Sequence, residues 1–158
     1  MAEEIERKFL VTGEGWRDRV SQRRAIRQFY LAQSDSATVR VRISDGTSAR
    51  LTVKGRRAGM SRPEYEWDIP VDEAREMEAL AAGRVLVKTR HLVRAGDLTW
   101  EVDAFEDGLT LAEIELPFED TPFDRPDWLG REVTDDPSYY NAAMALGGDQ
   151  ASSREVDQ

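Results

Sequence analysis

The chain has 158 residues, 40% of them hydrophobic, 34% charged, and a formal net charge of −9; one core is affordable, but no stretch approaches the roughly 18–20 apolar residues that a membrane-spanning helix needs. Cysteine is absent and there is a single histidine, which excludes disulfide scaffolds, thiolate nucleophiles and zinc–thiolate or His-rich metal centres. The acidic N-terminus has no apolar run of the signal-peptide kind, so the expected compartment is the cytoplasm, and the overall acidity argues against a non-specific nucleic-acid coat.

In chain order, period-two alternation dominates. Residues 3–11 put Glu4, Glu6, Lys8 and Leu10 on one face and Ile5, Arg7, Phe9 and Val11 on the other. Strands are expected at 25–33, where Ile26, Gln28 and Tyr30 oppose Phe29 and Leu31, and at 37–44, where Thr38, Arg40 and Arg42 oppose Val39, Val41 and Ile43. Another is expected at 48–54, with Arg50, Thr52 and Lys54 opposite Leu51 and Val53. A Gly- and Arg-rich loop at 55–62 leads to a strand carrying Glu64, Glu66 and Asp68 against Tyr65, Trp67 and Ile69. Residues 73–82 read as a helix, capped by Asp72 and stopped by Gly83. Three more strands follow: 84–93 with Lys88 and Arg90 on one face, 98–105 with Glu101 and Asp103, and 110–117 with Glu113 and Glu115. Residues 118–136 read as loop, 137–146 as a helix capped by Asp136 with Pro137 in its first turn, and 148–158 as a disordered tail. Trp67 and Trp100 are expected in the core, and Trp16 or Trp128 as a cap over a ligand. About eight short antiparallel strands and two small helices imply a mainly β, closed barrel in one domain, residues 1–147.

The charge is unevenly placed. Residues 1–62 hold 14 Lys/Arg against 7 Asp/Glu, and residues 63–158 hold 8 against 24. Of the basic residues 19 are arginine and only Lys8, Lys54 and Lys88 are lysine. Charges recur as like-sign pairs at i and i+2 on nearly every strand, which sets them ~6.6 Å apart on one face. A solvated exterior would mix signs and use Thr, Ser and Asn. The pattern instead suits a barrel turned inside out: charged faces line a wet tunnel, and apolar faces point outward beneath helices and loops. Such a lumen holds charge only if it is paired, hydrated or ligand-bound. Carboxylates without Cys or His select hard cations such as Mg²⁺ or Mn²⁺, and Arg/Lys clusters take phosphate oxygens. A polyanion bound with a divalent metal therefore fits.

Glu4-Ile5-Glu6-Arg7-Lys8 has the ExExK form that opens the CYTH domain of the triphosphate tunnel metalloenzymes. The chain resembles that family further through Gln28-Phe29-Tyr30-Leu31, Arg40-Val41-Arg42, Thr52-Val53-Lys54, Arg62-Pro63-Glu64-Tyr65-Glu66 and Val87-Lys88-Thr89-Arg90, and again through Glu101-Val102-Asp103-Ala104-Phe105, Ala112-Glu113-Ile114-Glu115-Leu116 and Glu132-Val133-Thr134. The resemblance runs in order over roughly residues 2–146. It implies an eight-stranded antiparallel tunnel and metal-dependent chemistry on triphosphates, with the compact bacterial inorganic triphosphatases the most similar branch. It implies Glu4, Glu6, Glu113, Glu115 and Asp103 as metal carboxylates, and Lys8, Arg40, Arg42, Lys54, Lys88 and Arg90 as phosphate clamps. Lys88 and Tyr30, with Glu64 and Glu66, are the catalytic candidates, and Glu101 is a further lumen acid. The expected reaction is hydrolysis of inorganic tripolyphosphate, a small-molecule partner, with no membrane or nucleic acid and with a homodimer allowed. The same lumen also suits a class IV adenylate cyclase, a thiamine or nucleoside triphosphatase, or a non-catalytic polyphosphate-binding module.

Overall fold

A computed structural model describes residues 2–147; the tail expected at 148–158 lies outside them. Strands are β1 (Ala2–Val11), β2 (Val20–Gln33), β3 (Ala37–Ser44), β4 (Ser48–Gly55), β5 (Ser61–Ile69), β6 (Ala82–Ala95), β7 (Leu98–Phe105), β8 (Thr110–Glu115) and β9 (Leu129–Glu132). The helices α1 (Val71–Met77) and α2 (Asn141–Leu146) are short, and 3-10 turns occupy Gly15–Arg19, Glu78–Leu80 and Pro137–Tyr139. All strand pairs are antiparallel. Their order, β5-β4-β3-β2-β6-β7-β8-β1, closes through β1–β5 into an eight-stranded barrel. The edge of β1 opposite β8 is shared: residues 2–5 pair with β5, and Phe9 and Val11 pair with β9, the extra ninth strand.

The barrel is inside out over most of its length. Two apolar clusters lie on its outer face. Phe29, Val41, Ile43 and Ala49 pack under Ala74 of α1, and Phe9, Trp100, Val102 and Ile114 pack under Trp16 and Trp128. Trp16 and Trp128 are thus outer core and do not cap the lumen. Trp67, expected in the core, is 53% exposed on the outer face of β5, where no helix covers the sheet. His91 is buried, with its ring against Trp16 and Nδ1 3.1 Å from the Val102 carbonyl. The third cluster sits on the inner face at one end. There Leu10, Leu86, Phe105 and Leu111 pack against Tyr139, Met144 and Ala145, so the 3-10 turn and α2 plug that end with apolar contact.

Four local expectations change. Helix α1 begins after Pro70, and Asp72 lies in its first turn, accepting from the Glu73 amide instead of capping. Gly83 does not stop a helix; it lies within β6 at φ +71, and a Cβ there would stand 2.2 Å from the Ala145 carbonyl oxygen. Its missing side chain lets α2 dock on β6. The helix read over 137–146 breaks at Tyr140, whose extended backbone separates the 3-10 turn from α2, although Asp136 does accept from the Ser138 amide. Finally, 129–132 forms β9 where a loop was expected. Gly130 allows it, since a Cβ there would lie 3.0 Å from the Leu10 carbonyl oxygen.

Candidate active site

Strand alternation turns one face of each barrel strand inward, onto a cavity of about 810 Å³. Arg40 and Arg42 of β3, Arg50 and Lys54 of β4, and Lys88 and Arg90 of β6 line it, as do Tyr30 of β2 and Lys8 of β1. Glu4 and Glu6 of β1, Glu64 and Glu66 of β5, Glu101 of β7 and Glu113 and Glu115 of β8 face the same space. Of the residues singled out by sequence, Asp103 alone does not line it.

Opposite charges lie beside one another, on neighbouring strands and, for Lys54 and Glu4, across the intervening β5. Lys54 Nζ lies 2.8 Å from Glu4 and 3.5 Å from Glu64, and Lys8 Nζ lies 3.3 Å from Glu113. Arg50 reaches Glu66 at 3.4 Å, and Thr52 donates to Glu66 at 3.0 Å and accepts from Arg40 at 3.3 Å. Arg90 is bidentate on Asp103, with bonds of 2.8 and 2.9 Å, and reaches Glu101 at 3.2 Å. Asp103 also takes Lys88 Nζ at 2.7 Å. Both Asp103 oxygens are thus engaged by cations and the residue is 1% exposed, so that it anchors Arg90 and Lys88 as an ion pair.

Two regions keep like charges together. Burial, reinforced by Arg40 and Arg90, lowers the Arg42 guanidinium to about 9. Its Nε donates to Gln28 at 3.0 Å. On the opposite wall Glu6 and Glu115 are register partners of β1 and β8. Burial raises the Glu115 carboxyl, and Glu4, Glu101 and Glu6 add to it. This surplus of negative charge faces the surplus of positive charge across the lumen.

Burial, reinforced by Arg90 and Arg42, outweighs Asp103 and lowers the Lys88 ammonium to about 7. Burial alone would raise Asp103, but Arg90 and Lys88 together bring it down to about 2. Lys8 behaves oppositely: burial lowers it, but Glu113 and Glu6 prevail and its pKa is raised. The C-terminal segment supplies polar partners to both lysines. The Tyr139 carbonyl accepts from Lys8 Nζ at 2.9 Å, and Asn141 Oδ1 accepts from Lys88 Nζ at 2.9 Å.

The sequence did not point to Gln28, Asn141 or the Tyr139 carbonyl. Gln28 carried a legible signal, its inward phase with Tyr30. A backbone carbonyl and a lone asparagine in a helical turn carry none.

A closed antiparallel barrel with a cationic wall opposing a carboxylate wall defines a lumenal site for a polyanion. Residues 2–142 match the CYTH domain, and the chain belongs to that family. It is 44% identical over 148 residues to an inorganic triphosphatase of Acetivibrio thermocellus, covering 91% of this chain and 94% of that one. It is 38% identical over 150 residues to an inorganic triphosphatase of Nitrosomonas europaea, covering 90% and 97%. The crystal structure of an inorganic triphosphatase superposes with a TM-score of 0.64 at 35% identity, covering 92% of this chain and 96% of that chain. Among the described residues no helix is long and apolar enough to cross a membrane.

Proposed function

We propose that this chain hydrolyses inorganic tripolyphosphate to pyrophosphate and phosphate inside its barrel, in the cytoplasm and as a single domain. The observation that carries the reading is the opposition of Arg40 and Arg42 to Glu6 and Glu115 across one cavity. The two inorganic triphosphatases that it resembles over nine-tenths of its length support it.

The donor set fits a hard divalent cation, Mg²⁺ or Mn²⁺. Among the described residues no three carboxylates converge into a ready cage. Mg²⁺ characteristically takes one or two carboxylates and completes its shell with water and substrate phosphate. Glu6 and Glu115 would hold it, flanked by Glu4 and Glu113, which are tied to Lys54 and Lys8. When bound there it would screen the phosphate oxygens and polarise the phosphorus under attack.

The protein's own part is positioning and charge neutralisation, the main levers in phosphoryl transfer. Arg40, Arg42, Lys8 and Lys54 clamp the phosphate oxygens, and Arg90 holds Asp103 beside Lys88. Glu64 and Glu66 fix Lys54 and Arg50 in place and offer acceptors to water. Water attacks a terminal phosphorus, the P–O bond to the bridging oxygen breaks, and pyrophosphate leaves. Lys88, held near neutrality, spends part of its time as an amine that can take the proton from this water, and Tyr30 lines the same cavity.

The test is phosphate release from tripolyphosphate, ATP and thiamine triphosphate, each with Mg²⁺, Mn²⁺ or excess EDTA. Metal-dependent turnover of tripolyphosphate above the two organic triphosphates supports the reading. Preference for an organic triphosphate reassigns the substrate, and tight binding without turnover makes the chain a polyphosphate-binding module.

A further inference from the structure

The side chains behind Lys88 form a directed relay. Arg42 donates Nε to Gln28 Oε1 at 3.0 Å. A guanidinium has no acceptor, so the Gln28 oxygen must face it, and the amide nitrogen faces the other way. That nitrogen donates to Asn141 Oδ1 at 2.7 Å. The same oxygen accepts from Lys88 Nζ at 2.9 Å. Gln28 is 0% exposed, so no bulk water can substitute for either partner. The orientation of both amides is therefore set from Arg42.

Lys88 nitrogen has three tetrahedral positions beyond Cε. Asp103 takes one at 2.7 Å and Asn141 a second at 2.9 Å. The third is left for the cavity that Lys88 lines. Asn141 opens α2, yet its side chain makes no cap for that helix, whose N-cap position is Tyr140. Its oxygen is spent on two lumen side chains instead.

We propose that Asn141, oriented by Gln28, is a positioning residue: it fixes the direction in which Lys88 presents its third position to the reacting water or phosphate. The proposal rests on the triphosphatase reading above for its kinetic consequence, but not for its geometry. It also couples recognition to chemistry, because the guanidinium that clamps phosphate is the one that aligns the amides behind the lysine.

Two substitutions separate positioning from folding. Asn141→Leu keeps the volume without the acceptor, and Asn141→Ala removes both; a variant is used where its melting temperature stays close to wild type. With tripolyphosphate and Mg²⁺, kcat should fall about tenfold or more with KM changed less than about twofold, as expected when alignment and not binding is lost. In a Lys88→Met background the same substitution should cost nothing further, since its effect passes through the lysine. A readout without turnover uses protein labelled with ¹³C and ¹⁵N at lysine, where only three signals arise. The one lost in Lys88→Met identifies Lys88. That signal should move in Asn141→Leu while the Lys54 signal stays. A rise in KM alone, full additivity with Lys88→Met, or an unmoved Lys88 signal would each overturn the proposal. Wild-type protein that leaves tripolyphosphate intact would instead overturn the functional reading, and the lysine spectra would still decide the positioning role.

Discussion

Lys54 Nζ stands 2.8 Å from Glu4, so an ion pair from β4 to β1 passes over β5, the strand through which the barrel closes. Glu4 is 6% exposed, and lysine supplies its charge partner.

Lys54→Met should therefore lower the melting temperature of the ligand-free protein by several degrees, because removing one member of a buried pair leaves the other uncompensated. Lys54→Met with Glu4→Gln should recover most of that loss. Thermal melts of the two variants check this, and equal destabilisation would show that the pair contributes little.

Lys88 gives stability a dependence on pH whose sign is set by its lowered pKa. Between about 7 and its unfolded value near 10.5 the unfolded chain binds the proton that the folded one has released. Stability contributed by this group therefore rises with pH across that window. Below it the cost of burying the ammonium is felt in full. Asp103, lowered to about 2, works in the opposite range: its contribution is present above its unfolded value of 3.8 and is lost as pH falls toward 2. Denaturant melts of wild type and Lys88→Met from pH 6 to 10 should differ in slope, with the wild-type curve climbing relative to the variant.

Glu115→Gln and Glu6→Gln should each reduce metal-dependent turnover strongly. Glu115→Gln should also leave the ligand-free fold as stable as wild type or more so, since it relieves the repulsion that raises this carboxyl. Phosphate-release rates over a Mg²⁺ titration, with melts alongside, give both numbers. Unchanged rates in both variants would move the metal elsewhere.

Gly83→Ala should destabilise by about 1–3 kcal/mol through a strained positive φ and a clash with the Ala145 carbonyl. Displacement of α2 should also carry Asn141 away from Lys88 and lower kcat. Chemical denaturation and steady-state kinetics on one preparation test the two effects together.

Tripolyphosphate with Ca²⁺ in place of the activating metal should raise the melting temperature by several degrees, provided the substrate is found intact afterwards. Free ligand at 100 times its dissociation constant stabilises by ~2.7 kcal/mol. Tripolyphosphate alone should give less, because the repulsion that Glu4, Glu101 and Glu6 exert on the Glu115 carboxylate stays unrelieved.

The inverted barrel was legible because strict alternation and like-sign pairs on one strand leave few places for the charge. The same pairs misled in one respect. Lys88/Arg90 and Glu101/Asp103 repel along their own strands, but the β6–β7 register sets Arg90 opposite Asp103 and lets Lys88 reach Asp103, and Arg90 reach Glu101, on the diagonal. Register is not written in the alternation of a single strand. Much of the expected repulsion is thus already offset, while like charges still act on Arg42, Lys88, Glu101 and Glu115. The same gap hid the contacts of Asp103, whose oxygens meet Arg90 and Lys88 on the neighbouring strand. Strand β9 escaped because four residues with a glycine carry too short a period, and Trp67 because alternation cannot say which stretch of outer face a helix will cover.

The shared edge of β1 has a temporal consequence. The strand bearing Glu4, Glu6 and Lys8 is synthesised before all of its partners, β5, β8 and β9. Two of those are among the final strands to be synthesised. Strand β1 must wait, unsealed, until β8 and β9 have been made, and long-range pairings of this kind slow folding. The carboxylate wall that β1 and β8 build together therefore cannot exist in a chain that stops short of β8.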